Sequence, residues 1–386
     1  MAKPKVNVAL IGSGFMGRAH SNGLRQAKSF FDLPVEPVLK VLGARNPETG
    51  ARVAQSFGWQ EVEPDWREII QRTDIDVVDI GTPVNTHSEI AVAALEAGKA
   101  VICEKPLSAT LGEARHMAHT AEQTGLPNMC TYNMRAVPAI AYASQLIQEG
   151  RLGKINQWRG AFMQSWLVNP EFPLTWRLRK ETAGSGALGD LGSHSIDMAR
   201  FLVGEISSLN AMMHTFTKQR PIPLVDSGRT SIGSDELGLV TVDDSVWTMI
   251  RFEDGALGTM EATRMATGAL CANRFEVFGT RGGLAFDFMR MNELEFYSLD
   301  DPLTEQGWRN IHVTSPGHPY IEAWWPKGHS LGYEHSFPNL FSTFFNAYAN
   351  DEMPSPSFLD AACTQAVVDA IERSAANSLW VEVEDV

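Results

Sequence analysis

Cysteine is scarce in this chain. There are four in 386 residues (Cys103, Cys130, Cys271 and Cys363), and no two form a CxxC pair. That usage excludes a disulfide scaffold and a thiolate metal site, and it reads as reduced thiols in a cytoplasmic protein. Runs of Lys and Arg are missing, and the formal net charge is −14. Nucleic acid and anionic membranes are therefore excluded as partners. No apolar stretch reaches the ~18 residues that a membrane span needs. Met1-Ala2-Lys3-Pro4-Lys5 leads straight into a strand-like run, without a signal-peptide pattern. No repeat of ~20–50 residues is visible. What is present is a 44% hydrophobic composition in a chain long enough for two domains.

The first half alternates strand and helix. Val6-Asn7-Val8-Ala9-Leu10-Ile11 is strand-like and runs directly into Gly12-Ser13-Gly14-Phe15-Met16-Gly17 and a helix-compatible stretch. In that context the three glycines point to a dinucleotide. Gly12 permits the tight turn, Gly14 lets a pyrophosphate approach the backbone, and Gly17 allows close helix packing. The second strand is expected within 37–43, after a long link that contains Phe30 and Phe31. An acid at its end would bind the ribose hydroxyls of NAD. Gly43-Ala44-Arg45-Asn46 has none, and Arg45 either suits a 2′-phosphate or simply faces solvent. NADP, or use of both coenzymes, is favoured over strict NAD.

Asp76-Val77-Val78-Asp79-Ile80 is the next strand, followed by Gly81-Thr82-Pro83-Val84-Asn85-Thr86-His87. Thr86 and Glu89 have the spacing of a capping box, as do Thr110 and Glu113 further on. Between those helices lies Val101-Ile102-Cys103-Glu104-Lys105-Pro106, a buried strand that ends in a carboxylate, an amine and a proline. The C-terminal strand ends of an open α/β sheet are where ligands bind, so Lys105 lies where a substrate would meet a nicotinamide. The alternation continues to Met129-Cys130-Thr131-Tyr132-Asn133 and predicts a doubly wound, mostly parallel sheet.

After a helix over 139–148 the character changes. Strands are predicted over 155–164, 246–252, 256–265, 275–278, 284–288 and 293–297, with Gly279-Thr280-Arg281-Gly282-Gly283 as a hairpin turn. This half is a mixed or antiparallel sheet with a few helices. The stretch from Thr217 to Leu237, rich in Pro, Ser and Gly, reads as a long surface excursion. The tail has helical spacing from Leu359 to Ser374, with Ser357 as a cap, and the late aromatics Phe337, Phe341, Phe344, Phe345, Trp308, Trp324 and Trp325 read as core.

A second dense constellation runs from Gly184 to Asp197. Asp190 and His194 are four residues apart on a predicted helix, which puts them on one face. A carboxylate beside an imidazole raises its pKa and orients it, which suits His194 to take a hydroxyl proton. The alternative is that Asp190 caps the helix and His194 is a core residue. Trp176 and Arg177, just upstream, line either a pocket or the coenzyme cleft, or Trp176 packs at the domain interface; His87 touches a ribose or braces its loop.

Taken together, Gly12/Gly14/Gly17, Thr82-Pro83 with His87, Glu104-Lys105-Pro106, Tyr132-Asn133 with Arg135, and Asp190 with His194 and Asp197 resemble the Gfo/Idh/MocA family, the glucose–fructose oxidoreductase and inositol dehydrogenase group. Within it the likeness is to levoglucosan and inositol dehydrogenases. It is carried by the link before strand two, the 217–237 stretch, and His318-Pro319-Tyr320 with Leu331-Gly332-Tyr333-Glu334. The resemblance implies an α/β N-terminal Rossmann domain over 1–134. It implies an α+β domain over 135–386 for substrate binding and oligomerisation, with a large open, mostly antiparallel sheet that builds homodimers or homotetramers. The helix over 358–376 is expected to pack near the Rossmann domain. It further implies NAD(P)-dependent oxidation of a secondary hydroxyl of a sugar, anhydrosugar or cyclitol, without a metal. By position, Lys105, Asp190 and His194 are catalytic, and these three with Arg135 contact substrate. Gly12, Gly14, Phe15, Met16, Gly17, Ala44, Arg45, Thr82, Pro83, Asn85, His87, Glu104, Lys105, Asn133, Trp176 and Arg177 are assigned to the coenzyme. Two other readings use the same residues: an oxidoreductive glycosidase that recycles NAD(P), and a sensor that binds NAD(P) without turnover.

Overall fold

The computed structural model describes residues 3–225 and 231–386. The chain divides into two compact units: residues 1–137, 322–325 and 331–362 form the first, and 138–321, 326–330 and 363–386 the second.

The first unit is built on β1 (Lys5–Ile11), α1 (Phe15–Phe30), β2 (Glu36–Gly43), α2 (Pro47–Phe57), β3 (Glu61–Glu63), α3 (Trp66–Gln71), β4 (Val77–Ile80), α4 (His87–Glu96), β5 (Ala100–Cys103), α5 (Leu111–Thr124) and β6 (Asn128–Cys130). All strands are parallel, in the order β3-β2-β1-β4-β5-β6. The order reverses between β1 and β4, the place where such sheets bind ligands at their C-terminal ends. Every residue of β4 and β5 is buried, as expected of central strands covered on both faces.

Local chemistry sets the helix ends. Asn46 caps α2, which has Pro at its start, and Thr110 and Glu113 form the expected reciprocal capping box on α5. The matching spacing at Thr86 and Glu89 does not form one. Thr86 has helical backbone (φ −111°, ψ −6°), its hydroxyl turns back onto Thr82 Oγ1 and the Pro83 carbonyl, and Glu89 pairs with Arg67 at 2.8 Å. A short 3-10 turn over Val84–Thr86 has taken the place of the extended cap residue that the motif needs.

The second unit contains α6 (Pro138–Gln148), β7 (Ile155–Met163), α7 (Lys180–Ala183), α8 (Ser193–Leu202), β8 (Ile206–His214), β9 (Gln219–Pro223), β10 (Gly233–Leu239), β11 (Ser245–Phe252), β12 (Leu257–Thr263), β13 (Ala272–Gly279), β14 (Gly282–Asp287), β15 (Glu293–Ser298) and β16 (Arg309–His312). Three late elements follow: α9 (Ser336–Ala349) in the first unit, α10 (Phe358–Asn377), which begins in the first unit and ends in the second, and β17 (Val381–Glu382). The large sheet has nine strands, β16-β15-β14-β13-β7-β12-β11-β8-β17. Only its central β7–β12 pair is parallel. Helices α6 and α8 cover one face, and the alternating burial of β11 leaves Trp247, Met249 and Arg251 on the other.

The 217–237 excursion is more ordered than expected. It carries the antiparallel β9–β10 pair and a fully buried Arg220, whose guanidinium donates to the Leu167, Asn169 and Phe172 carbonyls. Residues 226–230 of that excursion lie outside the described part. Of the late aromatics, Phe337, Phe341, Phe344 and Phe345 are buried on α9, whereas Trp308 and Trp325 are about half exposed. Among the described residues, no helix is long and apolar enough to cross a membrane.

Candidate active site

The glycine loop joins β1 to α1 with little room to spare. Gly12 has φ +121°, and a Cβ there would lie 2.6 Å from the Gly81 carbonyl oxygen. A Cβ on Gly17 would lie 2.0 Å from the Gly12 carbonyl oxygen, so the first turn of α1 packs directly on the loop. Gly14 differs: a Cβ there would meet nothing within 4 Å. The helix that starts beside it has no side-chain cap and no acid in its first turn. An open backbone next to unanswered N–H groups fits a pyrophosphate. Phe15 is 69% exposed at the loop. At the end of β2, Ala44 is buried and Arg45 exposed. No carboxylate stands at positions 43–46.

Lys105 follows β5 at the C-terminal edge of the sheet, and its backbone N–H donates to Glu104 Oε2 at 3.2 Å. Glu104 belongs to a buried cluster that a sequence pattern search does not single out. His20 of α1, fully buried, places Nδ1 2.8 Å from Asp79 Oδ1 and Nε2 2.9 Å from Glu104 Oε1. Thr131 Oγ1 also donates to Glu104 Oε1, at 2.5 Å. Burial opposes charge on the ring, but Asp79 and Glu104 more than offset it and lift the His20 pKa to about 10. The one signal in the sequence was Asp79 itself, a carboxylate inside the apolar run Val77-Val78-Asp79-Ile80, which cannot be buried there without a partner.

His87 braces its loop. It is 1% exposed, with Nε2 2.9 Å from the Thr82 carbonyl and Nδ1 3.1 Å from the Pro106 carbonyl, and burial lowers its pKa. The Thr82-Pro83 turn after β4 and the Lys105-Pro106 segment after β5 are thus tied together. Asn133 is buried and donates to Ser336 Oγ, and Arg135, 7% exposed, donates to Ser355 Oγ.

In the second unit, Asp190 and His194 lie on the helical run that the spacing predicts, but its start is a π turn over Leu188–Gly192 that passes into α8 at Ser193. Asp190 is therefore inside the helical run and not its cap. Such single π turns concentrate at functional sites. His194 is 6% exposed beside the Phe162 ring, 5.9 Å between centroids, and Asp197 is fully buried. Arg177 stacks over Trp176 at 4.3 Å within a 3-10 turn.

The residue that anchors this turn is Asp243, which the sequence reading did not reach. Its carboxylate accepts from the Gly186 N–H at 2.6 Å and the Leu188 N–H at 2.8 Å. Its own carbonyl accepts from Ala187 N–H and from Arg264 Nη2. A Cβ on Gly186 would lie 1.8 Å from that carbonyl oxygen, so the lead-in needs glycine there. Burial raises the Asp243 pKa, against the pull of Arg264 and the two amides.

Comparison with known proteins agrees with this architecture. Residues 6–132 match the family described as "Oxidoreductase family, NAD-binding Rossmann fold", and residues 140–285 match the GFO/IDH/MocA C-terminal domain. The chain is 43% identical over 386 residues to the levoglucosan dehydrogenase of Pseudarthrobacter phenanthrenivorans, covering 99% of each. A levoglucosan dehydrogenase solved with NADH and levoglucosan superposes with a TM-score of 0.94 at 43% identity, covering 99% of this chain and all of that one. An oxidoreductase domain protein from Kribbella flavida matches equally, with a TM-score of 0.94, 43% identity and full coverage of both chains. With its bare glycine loop, its 3-2-1-4-5-6 parallel sheet and its open nine-stranded sheet, this chain belongs to the GFO/IDH/MocA family of NAD-binding oxidoreductases.

Proposed function

We propose that this protein is an NAD(P)-dependent dehydrogenase that moves hydride between a nicotinamide and a secondary hydroxyl of a sugar, anhydrosugar or cyclitol. The observation that carries the reading is Lys105, held at the C-terminal end of β5 in a sheet whose glycine loop is open at Gly14. Lys105 hydrogen-bonds the reacting hydroxyl and stabilises negative charge as it develops on that oxygen. His194 takes the hydroxyl proton, and Asp190 orients and assists His194. Residues 1–134 hold the coenzyme, through the glycine loop, Arg45 and the Thr82–Asn85 turn, and residues 135–386 serve substrate binding and assembly. Either coenzyme is accepted, since position 45 offers a guanidinium and no ribose-binding acid. Among substrates, anhydrosugars come first, by likeness to the relative solved with levoglucosan.

Assembly as a homodimer or homotetramer through the uncovered face of the nine-stranded sheet is part of this reading. Met212, Met249 and Leu257 are half or more exposed there, among facing pairs such as Arg159–Glu276 and Arg274–Asp287. A cytoplasmic location accords with the scarcity and wide spacing of the four cysteines. The deciding experiment is a panel of anhydrosugars, sugars, cyclitols and aryl glycosides, followed by nicotinamide absorbance with NAD⁺ and NADP⁺ separately. Net reduction of the coenzyme on a polyol supports the dehydrogenase. Aglycone release without net reduction would replace it by an oxidoreductive glycosidase, and coenzyme binding without any turnover by a sensor.

A further inference from the structure

With both carboxylates ionised, the buried cluster beneath Lys105 has a geometry that only the imidazolium satisfies. His20 faces a carboxylate from each ring nitrogen: Asp79 Oδ1 and Oδ2 at 2.8 and 3.0 Å from Nδ1, and Glu104 Oε1 at 2.9 Å from Nε2. A neutral imidazole has one N–H, so one of these contacts would set a lone pair against an anion. The imidazolium donates to both. The surroundings are dry and apolar, with the Phe337 and Phe341 rings 5.5 and 5.3 Å from the His20 ring. Two carboxylates in such a place are too costly without the cation between them.

The cluster also has a direction. Glu104 Oε1 is held by His20 and Thr131, which leaves Oε2 to receive the Lys105 backbone N–H. The chain of contacts therefore runs from α1 through Glu104 to the reacting lysine. The other titratable groups around Glu104 are Asp79, His87, Cys103, Cys130 and Lys105 itself, whose charge also favours the Glu104 carboxylate. Burial raises the pKa of Asp79, which works against its charge, lowers that of His87 and pushes the Cys103 thiol well up; the close contacts with Asp79 and Glu104 make His20 the buried cation of the cluster. Burial works against the Glu104 charge too, yet the contact with His20 brings its pKa below the ordinary value.

We propose that His20 is a positioning residue for Lys105: as an imidazolium it fixes the ionised Glu104 carboxylate, and Glu104 fixes the backbone of Lys105. This rests on the reading of Lys105 as the group that meets the hydroxyl. Asp79→Asn tests it, because it keeps an acceptor for Nδ1 but removes one of the two anions that hold His20 charged. Three measurements on the holoenzyme decide the matter. Nitrogen NMR of the wild-type His20 ring is expected to show both nitrogens protonated at pH 8; a neutral ring overturns the proposal. In Asp79→Asn, His20 titrates at lower pH, and the Lys105 backbone amide resonance is expected to move with the same midpoint. An amide that ignores the His20 titration overturns the proposal whether or not the protein turns over any polyol. In steady state, Asp79→Asn gains an alkaline limb in kcat at that midpoint, which the wild type lacks, and His20→Gln loses roughly 10- to 100-fold in kcat with coenzyme Kd within twofold. A lower melting temperature with kcat and its pH profile unchanged means a purely structural histidine and overturns it. If the amide follows His20 but no polyol is oxidised, the role of His20 stands and the dehydrogenase reading falls.

Discussion

Replacement of Asp243 by Asn isolates what supports the π turn. The native carboxylate answers two buried N–H groups, Gly186 at 2.6 Å and Leu188 at 2.8 Å, with one oxygen each. A carboxamide answers one of them and turns its NH₂ toward the other. The change removes one charge-assisted bond, about 1.5–3 kcal/mol, and leaves a buried donor facing a donor, about 1–3 kcal/mol more. Burial already disfavours the Asp243 charge, so its neutralisation offsets part of that loss. A net destabilisation of about 2–4 kcal/mol remains, which for a unit of roughly 200 residues lowers Tm by roughly 5–15 °C. The assay is a thermal melt by circular dichroism, with kcat and coenzyme Kd measured well below the transition. Because the two amides lead into the turn that carries Asp190 and His194, kcat is expected to fall at least about tenfold, while coenzyme affinity stays within about twofold. A variant that melts within about 1 °C of the wild type and turns over normally would refute the anchoring role.

Lys105→Met and His194→Ala are expected to lower kcat by ~10²–10⁴-fold with coenzyme binding retained, read by nicotinamide fluorescence titration. Arg45→Glu is expected to turn the coenzyme preference toward NAD⁺, measured as the ratio of kcat/KM for the two coenzymes; an unchanged ratio places the 2′-phosphate elsewhere. Arg72 holds Glu61 and Asp74, and its hydrogen bonds bring both carboxyls down to about 2. These folded-state values lie below the unfolded ones, so the stability that the pair contributes is present above pH ~4.5 and is lost as the pH falls through about 2. The side chains are 42% and 47% exposed, so screening keeps the contribution near about 1 kcal/mol. The stability gap between Arg72→Gln and the wild type, followed by urea unfolding, is expected to close over that acid range.

Much of the first unit was legible because its signals are local. Gly12, Gly14 and Gly17 stand where a tight turn, an open backbone and a close helix contact each demand glycine, and Thr110 with Glu113 forms its cap from four consecutive residues. Thr86 with Glu89 shows the limit of that method, since the same spacing is compatible with a backbone already in the helical region. Helix α9 escaped notice because ten of the fourteen residues in Ser336–Ala349 are buried, which narrows the polar face that marks a helix in sequence. Strand β8 was missed for the opposite reason: Asn210 and His214 interrupt its apolar positions with residues that face outward. His20 and Asp243 were out of reach because their partners lie 59 and 57 residues away, and only the folded chain brings them together. Asp243-Asp244 after Val240-Thr241-Val242 reads as a polar turn, although both carboxylates are buried.

The central strand of the large sheet has a history problem during synthesis. β7 is made early, but its parallel partner begins at Leu257 and its antiparallel partner at Ala272. About a hundred residues must therefore leave the ribosome before either edge of β7 can be satisfied, and the sheet grows outward from a pair that forms late. Until then the apolar side of Ile155–Met163, with Trp158 and Phe162, has nothing of its own sheet to pair with.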